Sequence, residues 1–331
     1  MTETKYRTLF KAVALMLATV LVAGTVSLNT SAKESKEDRG SNWMSELSDD
    51  LAISEISIPG THDSGTKHIT FGYFMRCQNT TIAKQLKAGF RYLDLRLAID
   101  AKAEEPRLNI IHNFAKCHTS ASPFSSYLYL EDVLEDVYDF LDENPTEAVI
   151  LNMKIESDDS VSSVQKLLYE AIDENPQYWY TSDSIPTLGE VRGQIVLCTR
   201  FEDELKVGEG LTGIQLIWED QGSDKIVDMP CELSVKNDVR YWVQDRYNYD
   251  AQDKFEAVTE GFENCETDSN TLFLNFVSTS GKSPIGHPKG YAKDLNKLVL
   301  NYEFNSSTCY GIVIVDYGSA KLAEKIYSTN F

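Results

Sequence analysis

The chain has 331 residues, 42% hydrophobic and 11% aromatic, with 31 basic against 51 acidic side chains and a formal charge of −20. That is enough apolar material for one large domain with a substantial core. The acidic excess leaves no basic stripe to follow a phosphate backbone, which argues against nucleic acid as a partner, and it repels anionic lipid headgroups.

In chain order the first element is a leader. Lys5, Arg7 and Lys11 precede the uncharged run AVALMLATVLVAGTV, and SLNTSA closes on small residues, with Thr30 and Ala32 placed like a cleavage site. Residues 1–32 read as a secretory signal peptide, the run being short for a membrane span, so the mature protein is expected to be secreted. Residues 33–44 are polar and expected to form a flexible leader, with residues 45–331 as a single catalytic domain. All six cysteines fall after the signal peptide, where disulfides are permitted, and none is spaced for zinc. Cys198, inside QIVLC, reads as a buried thiol, whereas Cys77 and Cys117 both follow strand-like runs and are candidates to meet.

Strands are expected at 53–58, 90–97, 108–113, 148–154, 194–200, 240–245, 271–278 and 311–317, several of them continuous apolar runs. Helical patterns lie between them. In the longest, Leu128, Leu130, Val133, Leu134, Val137 and Leu141 recur at helical spacing until Pro145 stops the run. Apolar strands alternating with amphipathic helices predict a parallel sheet covered by helices. About eight such units predict an α/β fold of the (β/α)8 TIM type, irregular or incompletely closed, with a doubly wound sheet as the alternative.

A barrel presents its reactive groups at the C-terminal ends of its strands. Here those ends carry His62 and Asp63, Asp94 and Arg96, His112, Lys154 and Glu156, Arg200, Asp245 and Tyr247, and Asp316. Taken singly each has a structural explanation: Asp63 as a turn cap, Arg96 as half of a surface ion pair, His112 as a core histidine. His68, His118 and His287 lie outside strand ends and read as structural. Gathered in one barrel mouth, however, two histidines can serve as base and acid on opposite sides of a phosphorus. An arginine between them suits non-bridging phosphate oxygens, and carboxylates behind the rings fix their tautomers. That set points to phosphodiester cleavage by an internal nucleophile.

SIPGTHDSGT (57–66), GFRYLDLRL (89–97) and IIHNF (110–114) resemble the X-domain core of phosphatidylinositol-specific phospholipase C in its small secreted bacterial form. PTLGEVRGQIVLCTR, YWVQDRY, LFLNFVSTSG and GIVIVDYG extend the likeness over most of residues 45–331. The resemblance implies that His62 is the general base for the inositol 2-hydroxyl, oriented by Asp316. It implies that His112, assisted by Asp63, protonates the diacylglycerol oxygen, while Arg96 binds phosphate with Asp94 beside it. Lys154, Arg200, Asp245 and Tyr247 would hold the inositol ring, with Trp218 and Asp220 lining its pocket. The products would be diacylglycerol and inositol 1,2-cyclic phosphate.

Calcium-dependent members of that family carry Glu-x-Asp where this chain has Asp94 and Arg96. A guanidinium supplies fixed positive charge where calcium would sit, so no metal and no cofactor are expected. The expected partner is phosphatidylinositol or a glycosylphosphatidylinositol anchor, met by a monomer in transient contact with a membrane surface. Ile69, Phe71, Tyr73, Phe74 and Met75 offer apolar insertion there, or packing on the barrel rim. Two rivals stand beside this reading: a metal-dependent glycerophosphodiester or sphingomyelin phosphodiesterase, and a silent inositol-lipid or glycan-binding barrel. The first would need the Glu-x-Asp ligand pair. The second would be expected to have lost His62, Arg96 or His112.

Overall fold

The computed structural model describes residues 36–122, 124–205, 213–222, 231–234, 239–266, 268–282 and 287–331, the strand 231–234 by its backbone. The expected signal peptide lies outside them. The chain divides into Met1–Asp38, almost all of it outside the described residues, and Arg39–Phe331, which carries the sheet. Among the described residues no helix is long and apolar enough to cross a membrane.

The strands are β1 (Ile58–Thr61), β2 (Tyr92–Asp100), β3 (Arg107–His112), β4 (Ala115–Lys116), β5 (Val149–Ile155), β6 (Trp179–Tyr180), β7 (Ile195–Thr199), β8 (Ile214–Gln215), β9 (Cys231–Ser234), β10 (Arg240–Gln244), β11 (Thr271–Phe276) and β12 (Ile312–Val315). They run β6-β7-β5-β2-β1-β12-β11-β10-β9, parallel throughout except for β9, which pairs antiparallel with β10. Helices cover the outside, as the sequence leads one to expect of an irregular (β/α)8 barrel. Among the described residues no backbone ladder joins the β7–β8 edge to β10. Side chains bridge that seam instead. Tyr241 Oη accepts from Ile217 N and donates to its carbonyl, and Gln221 joins Val243 O and Asp245 N.

Side-chain alternation turns this sheet into a layered mouth. On β2, Leu93, Leu95 and Leu97 face the covering helices, where Val133, Leu134, Val137 and Leu141 of the helix Leu130–Glu143 bury the expected stripe. Each such side chain is worth about 1.5–3 kcal/mol. The even residues face inward. Register aligns Tyr92 with Ile150 and Val196, Asp94 with Asn152 and Cys198, and Arg96 with Lys154. Apolar, polar and charged tiers are thus stacked from the barrel floor to its mouth.

Three expectations need correction. The first strand is not 53–58: Ile53–Glu55 is a 3-10 turn, and the strand is Ile58–Thr61, with Pro59 and Gly60 inside it. Pro59 does not interrupt the pairing, because its carbonyl accepts from Arg91 N at 2.9 Å. Gly60 is needed where it stands, since a Cβ would lie 2.9 Å from the Tyr92 ring and 3.1 Å from Ile314. The expected loose leader is, over Lys36–Asn42, a helix followed by a turn with Trp43 and Met44 fully buried. Trp43 stacks on Tyr327 at 5.2 Å and donates to Gly89 O. Finally, Cys77 and Cys117 do not pair; both are buried free thiols, as is Cys198.

Candidate active site

Three of the reactive groups, His62, His112 and Asp316, are each followed by one strained residue. His62 continues the β1 ladder, its N–H donating to Val315 O at 3.0 Å, and Asp63 then turns the chain at φ 45°. Asn113 after His112 (φ 51°) and Tyr317 after Asp316 (φ 49°) do the same. Non-glycine residues rarely hold this left-handed backbone, at a cost of about 1–2 kcal/mol each. Gln78 locks the β1 and β12 ends together, donating to the carbonyls of His62 (2.9 Å) and Val315 (2.8 Å) and accepting from Gly318 N.

His112 arrives differently from the expectation. Strand β3 is antiparallel to β2, so it is no stave of the barrel. Strand β2 overshoots the mouth and β3 returns, lowering His112 onto the site from above. Its Nδ1 lies 2.8 Å from Met75 O, which fixes the ring and leaves Nε2 facing Asp63.

The remaining distances define the cluster. His62 Nδ1 lies 2.8 Å from Asp316 Oδ1. Asp63 Oδ2 is 3.3 Å from His62 Nε2 and 3.4 Å from His112 Nε2. Asp63 is therefore shared by the two imidazoles rather than reserved for His112. The rings stand 6.3 Å apart, nearly perpendicular. Arg96 is ringed by acids: Nη1 to Glu156 at 2.5 Å, Nη2 to Asp94 at 3.6 Å, and Nε to Asp63 Oδ1 at 2.8 Å as an ion pair whose N–H is not aimed at the oxygen. Its Nη2 also lies 2.8 Å from His62 Nε2. Asp94 is in turn held by Asp63 N and Asn152 Nδ2, each at 3.3 Å.

A second polar group lies across the mouth. Lys154 pairs with Glu156 at 3.3 Å. Arg200 sits over the Trp218 ring, 3.5 Å from its centroid, and 3.6 Å from Asp245. Trp218 Nε1 donates to Asp245 at 3.0 Å, and Tyr247 Oη donates to Asp220 at 2.8 Å. The residues singled out in the sequence thus form two adjoining sets, one around Arg96 and one around Arg200. The electrostatics link them, since burial works to raise the Asp94 pKa but Arg96, His62 and, more weakly, Arg200 hold it below the usual carboxylate range. Sequence reading noted Glu156 but gave it no place in the site. It also missed Gln78, and Cys77, whose Sγ is 3.7 Å from Asp63 Oδ2. The loop carrying Cys77 and Gln78 has no periodicity that would have marked them.

Burial lowers the His62 pKa, but Asp63 and Asp316 outweigh burial and lift it to about 9. Arg96, with Nη2 2.8 Å from His62 Nε2, opposes that rise. A pKa raised from 6.5 to about 9 contributes stability that is whole below pH 6.5 and lost as pH rises through 9, up to about 3 kcal/mol. Urea titrations across that window are expected to show wild type losing stability relative to His62→Asn. Parallel curves would rule out the ion cluster as the cause. The difference must be used because Lys254, lowered by burial to about 7, acts with the opposite sign above neutrality.

Residues 56–201 match the family described as phosphatidylinositol-specific phospholipase C, X domain. A 1-phosphatidylinositol phosphodiesterase from Staphylococcus aureus is 31% identical over 302 residues, 86% of this chain and 91% of that protein. A protein of the same name from Listeria monocytogenes is 28% identical over 87% of this chain and 84% of its own length. The crystal structure of a Staphylococcus aureus phosphatidylinositol-specific phospholipase C superposes with a TM-score of 0.72 at 26% identity, covering 90% of this chain and all of that one. Similarity at this level along nearly the whole of a relative, over the same barrel, makes the chain a member of the phosphatidylinositol-specific phospholipase C X-domain family.

Proposed function

We propose that this protein is a secreted, metal-independent phosphatidylinositol phospholipase C acting by base–acid catalysis. The observation that carries the reading is Arg96, whose guanidinium lies 2.8 Å from both His62 Nε2 and Asp63, so that phosphate bound there meets both imidazoles. His62 Nε2 takes the proton of the inositol 2-hydroxyl as its oxygen attacks phosphorus, and Asp316 steadies the imidazolium. The bond from phosphorus to the diacylglycerol oxygen breaks, and His112 Nε2 supplies that oxygen with a proton. No water enters this step, so the product is the 1,2-cyclic phosphate. Arg96 is held charged by Asp63, Glu156 and Asp94 against the effect of burial and offers donors to the non-bridging oxygens. Arg200 on Trp218, with Lys154, Asp245 and Tyr247, suits a polyol ring, which presents hydroxyls at its edge and a C–H face.

The donor set argues against calcium: the space among Asp63, Asp94 and Glu156 is filled by a guanidinium, and calcium wants six to eight oxygens. Phosphorus NMR of phosphatidylinositol incubated with the enzyme and excess EDTA is expected to show the cyclic phosphate forming at the untreated rate. Activity abolished by the chelator and restored by calcium would overturn the metal-free mechanism.

The same inositol phosphodiester occurs in glycosylphosphatidylinositol anchors, which are the second substrate proposed. A monomer would reach either through the rim. Phe71, Tyr73 and Phe74 are 64%, 63% and 51% exposed, and Phe114, on the hairpin beside His112, is 74% exposed. Phe71 and Phe114 are neighbours, their rings 6.1 Å apart. Ile69 and Met75, grouped with them in the sequence reading, pack inward instead. Exposed aromatics at the mouth suit shallow insertion between headgroups.

A further inference from the structure

The reaction proposed above has no use for Cys77, yet its thiol stands among the reacting groups. Cys77 is buried, with Sγ 3.7 Å from Asp63 Oδ2 and 3.9 Å from His112 Nδ1. The same Asp63 oxygen is 3.3 Å from His62 Nε2 and 3.4 Å from His112 Nε2. Ligand atoms of His62, Asp63 and Cys77 all lie within 4.8 Å of one another. A tetrahedral zinc, with bonds of about 2.0–2.3 Å, holds its ligand atoms about 3.3–3.7 Å apart.

His62 is already set for such a role. Its Nδ1 is engaged by Asp316 at 2.8 Å. With the proton on Nδ1, the Nε2 lone pair turns toward Asp63. Metal-binding histidines are oriented in this way by an outer shell. One sulfur, one imidazole and one carboxylate oxygen form a borderline-soft set, suited to zinc or cadmium and poorly suited to calcium or magnesium.

We propose that His62 Nε2, Asp63 Oδ2 and Cys77 Sγ bind a thiophilic divalent cation, with solvent completing the coordination, so that metal and phosphodiester exclude one another. The metal is an inhibitor here and not a resident cofactor. Arg96 must withdraw from His62, and Glu156 and Asp94 already hold it from the far side. As the metal binds, Cys77 Sγ and His62 Nε2 each give a proton to solvent. The acids Asp63, Asp94, Glu156 and Asp316, with the new thiolate, balance the added charge against Arg96 and Lys154. The proposal rests on donor geometry and not on the lipid reaction, so its readouts are independent of cleavage.

Calorimetric titration with zinc and ultraviolet titration with cadmium are expected to give one high-affinity site per chain, with a thiolate-to-cadmium charge-transfer band. Cys77→Ser should remove the band and weaken zinc on the order of 100-fold. Cys198→Ser should change neither. Because Cys77→Ser alters a buried position, X-ray absorption at the zinc edge of the wild type supplies a second measurement, expected to find one sulfur and three nitrogen or oxygen ligands. No tight site, no sulfur in the coordination shell, or unchanged affinity in a folded Cys77→Ser protein would each overturn the proposal.

Discussion

His62→Ala is expected to lower the turnover of phosphatidylinositol by about 10²–10⁴-fold, with little change in the amount of lipid bound at the surface. The size follows from what the ring does. At 2.8 Å from Asp316 on one nitrogen and 3.3 Å from Asp63 on the other, it is the group in the mouth that combines a raised pKa with an oriented lone pair. His112→Ala should cost a similar factor, but less for a substrate whose leaving group is a phenolate, which needs no proton. That contrast separates acid from base: His62→Ala should stay slow with the activated leaving group. Equal rescue of both variants would overturn the assignment. Asp316→Asn should fall between wild type and His62→Ala, since it leaves the base but not its orientation.

The second large effect is on stability. Glu147→Ala is expected to destabilise the protein by about 3–5 kcal/mol, lowering Tm by roughly 10 °C. Arg91 and Glu147 are both fully buried on the barrel floor and joined at 2.8 and 3.0 Å. The guanidinium also donates to the carbonyls of Gly40, Ser41, Leu86 and Phe90, while Glu147 accepts from Met44 N. Removing Glu147 strands a buried cation. Many buried ion pairs can be exchanged for apolar residues at little cost, but here Arg91→Leu with Glu147→Leu should not recover stability, because four carbonyls would lose their donor. Thermal and urea unfolding of the three proteins checks this. A loss below about 1 kcal/mol for Glu147→Ala would contradict it.

These cases show what the sequence discloses and what it hides. The inward tier Tyr92, Asp94, Arg96 was legible because a strand alternates with period two, and YLDLRLAID shows it plainly. β1 was not, because Pro59 and Gly60 signal a turn unless the Tyr92 ring opposite them is known. His112 fell in the right place for the wrong reason: an apolar run ending in histidine looks the same whether it is a barrel stave or the returning arm of a hairpin. Trp43 was hidden by its polar surroundings, although it stacks on Tyr327 and helps dock the segment. Glu156, Cys77 and Gln78 act through contacts across 35–240 residues of chain, which no local pattern encodes.

The left-handed turns at Asp63, Asn113 and Tyr317 carry a consequence for how such an enzyme can change. A chain under selection for robustness alone would place glycine at these points and relax. Here the backbone is kept taut immediately after each of the three side chains that must be aimed. Asn113 is the exposed member of the trio, so a glycine there can slacken the turn without emptying a core. Durability and aim are therefore in opposition at this position, and variants selected for heat resistance would be drawn to it while losing precision in the delivery of His112.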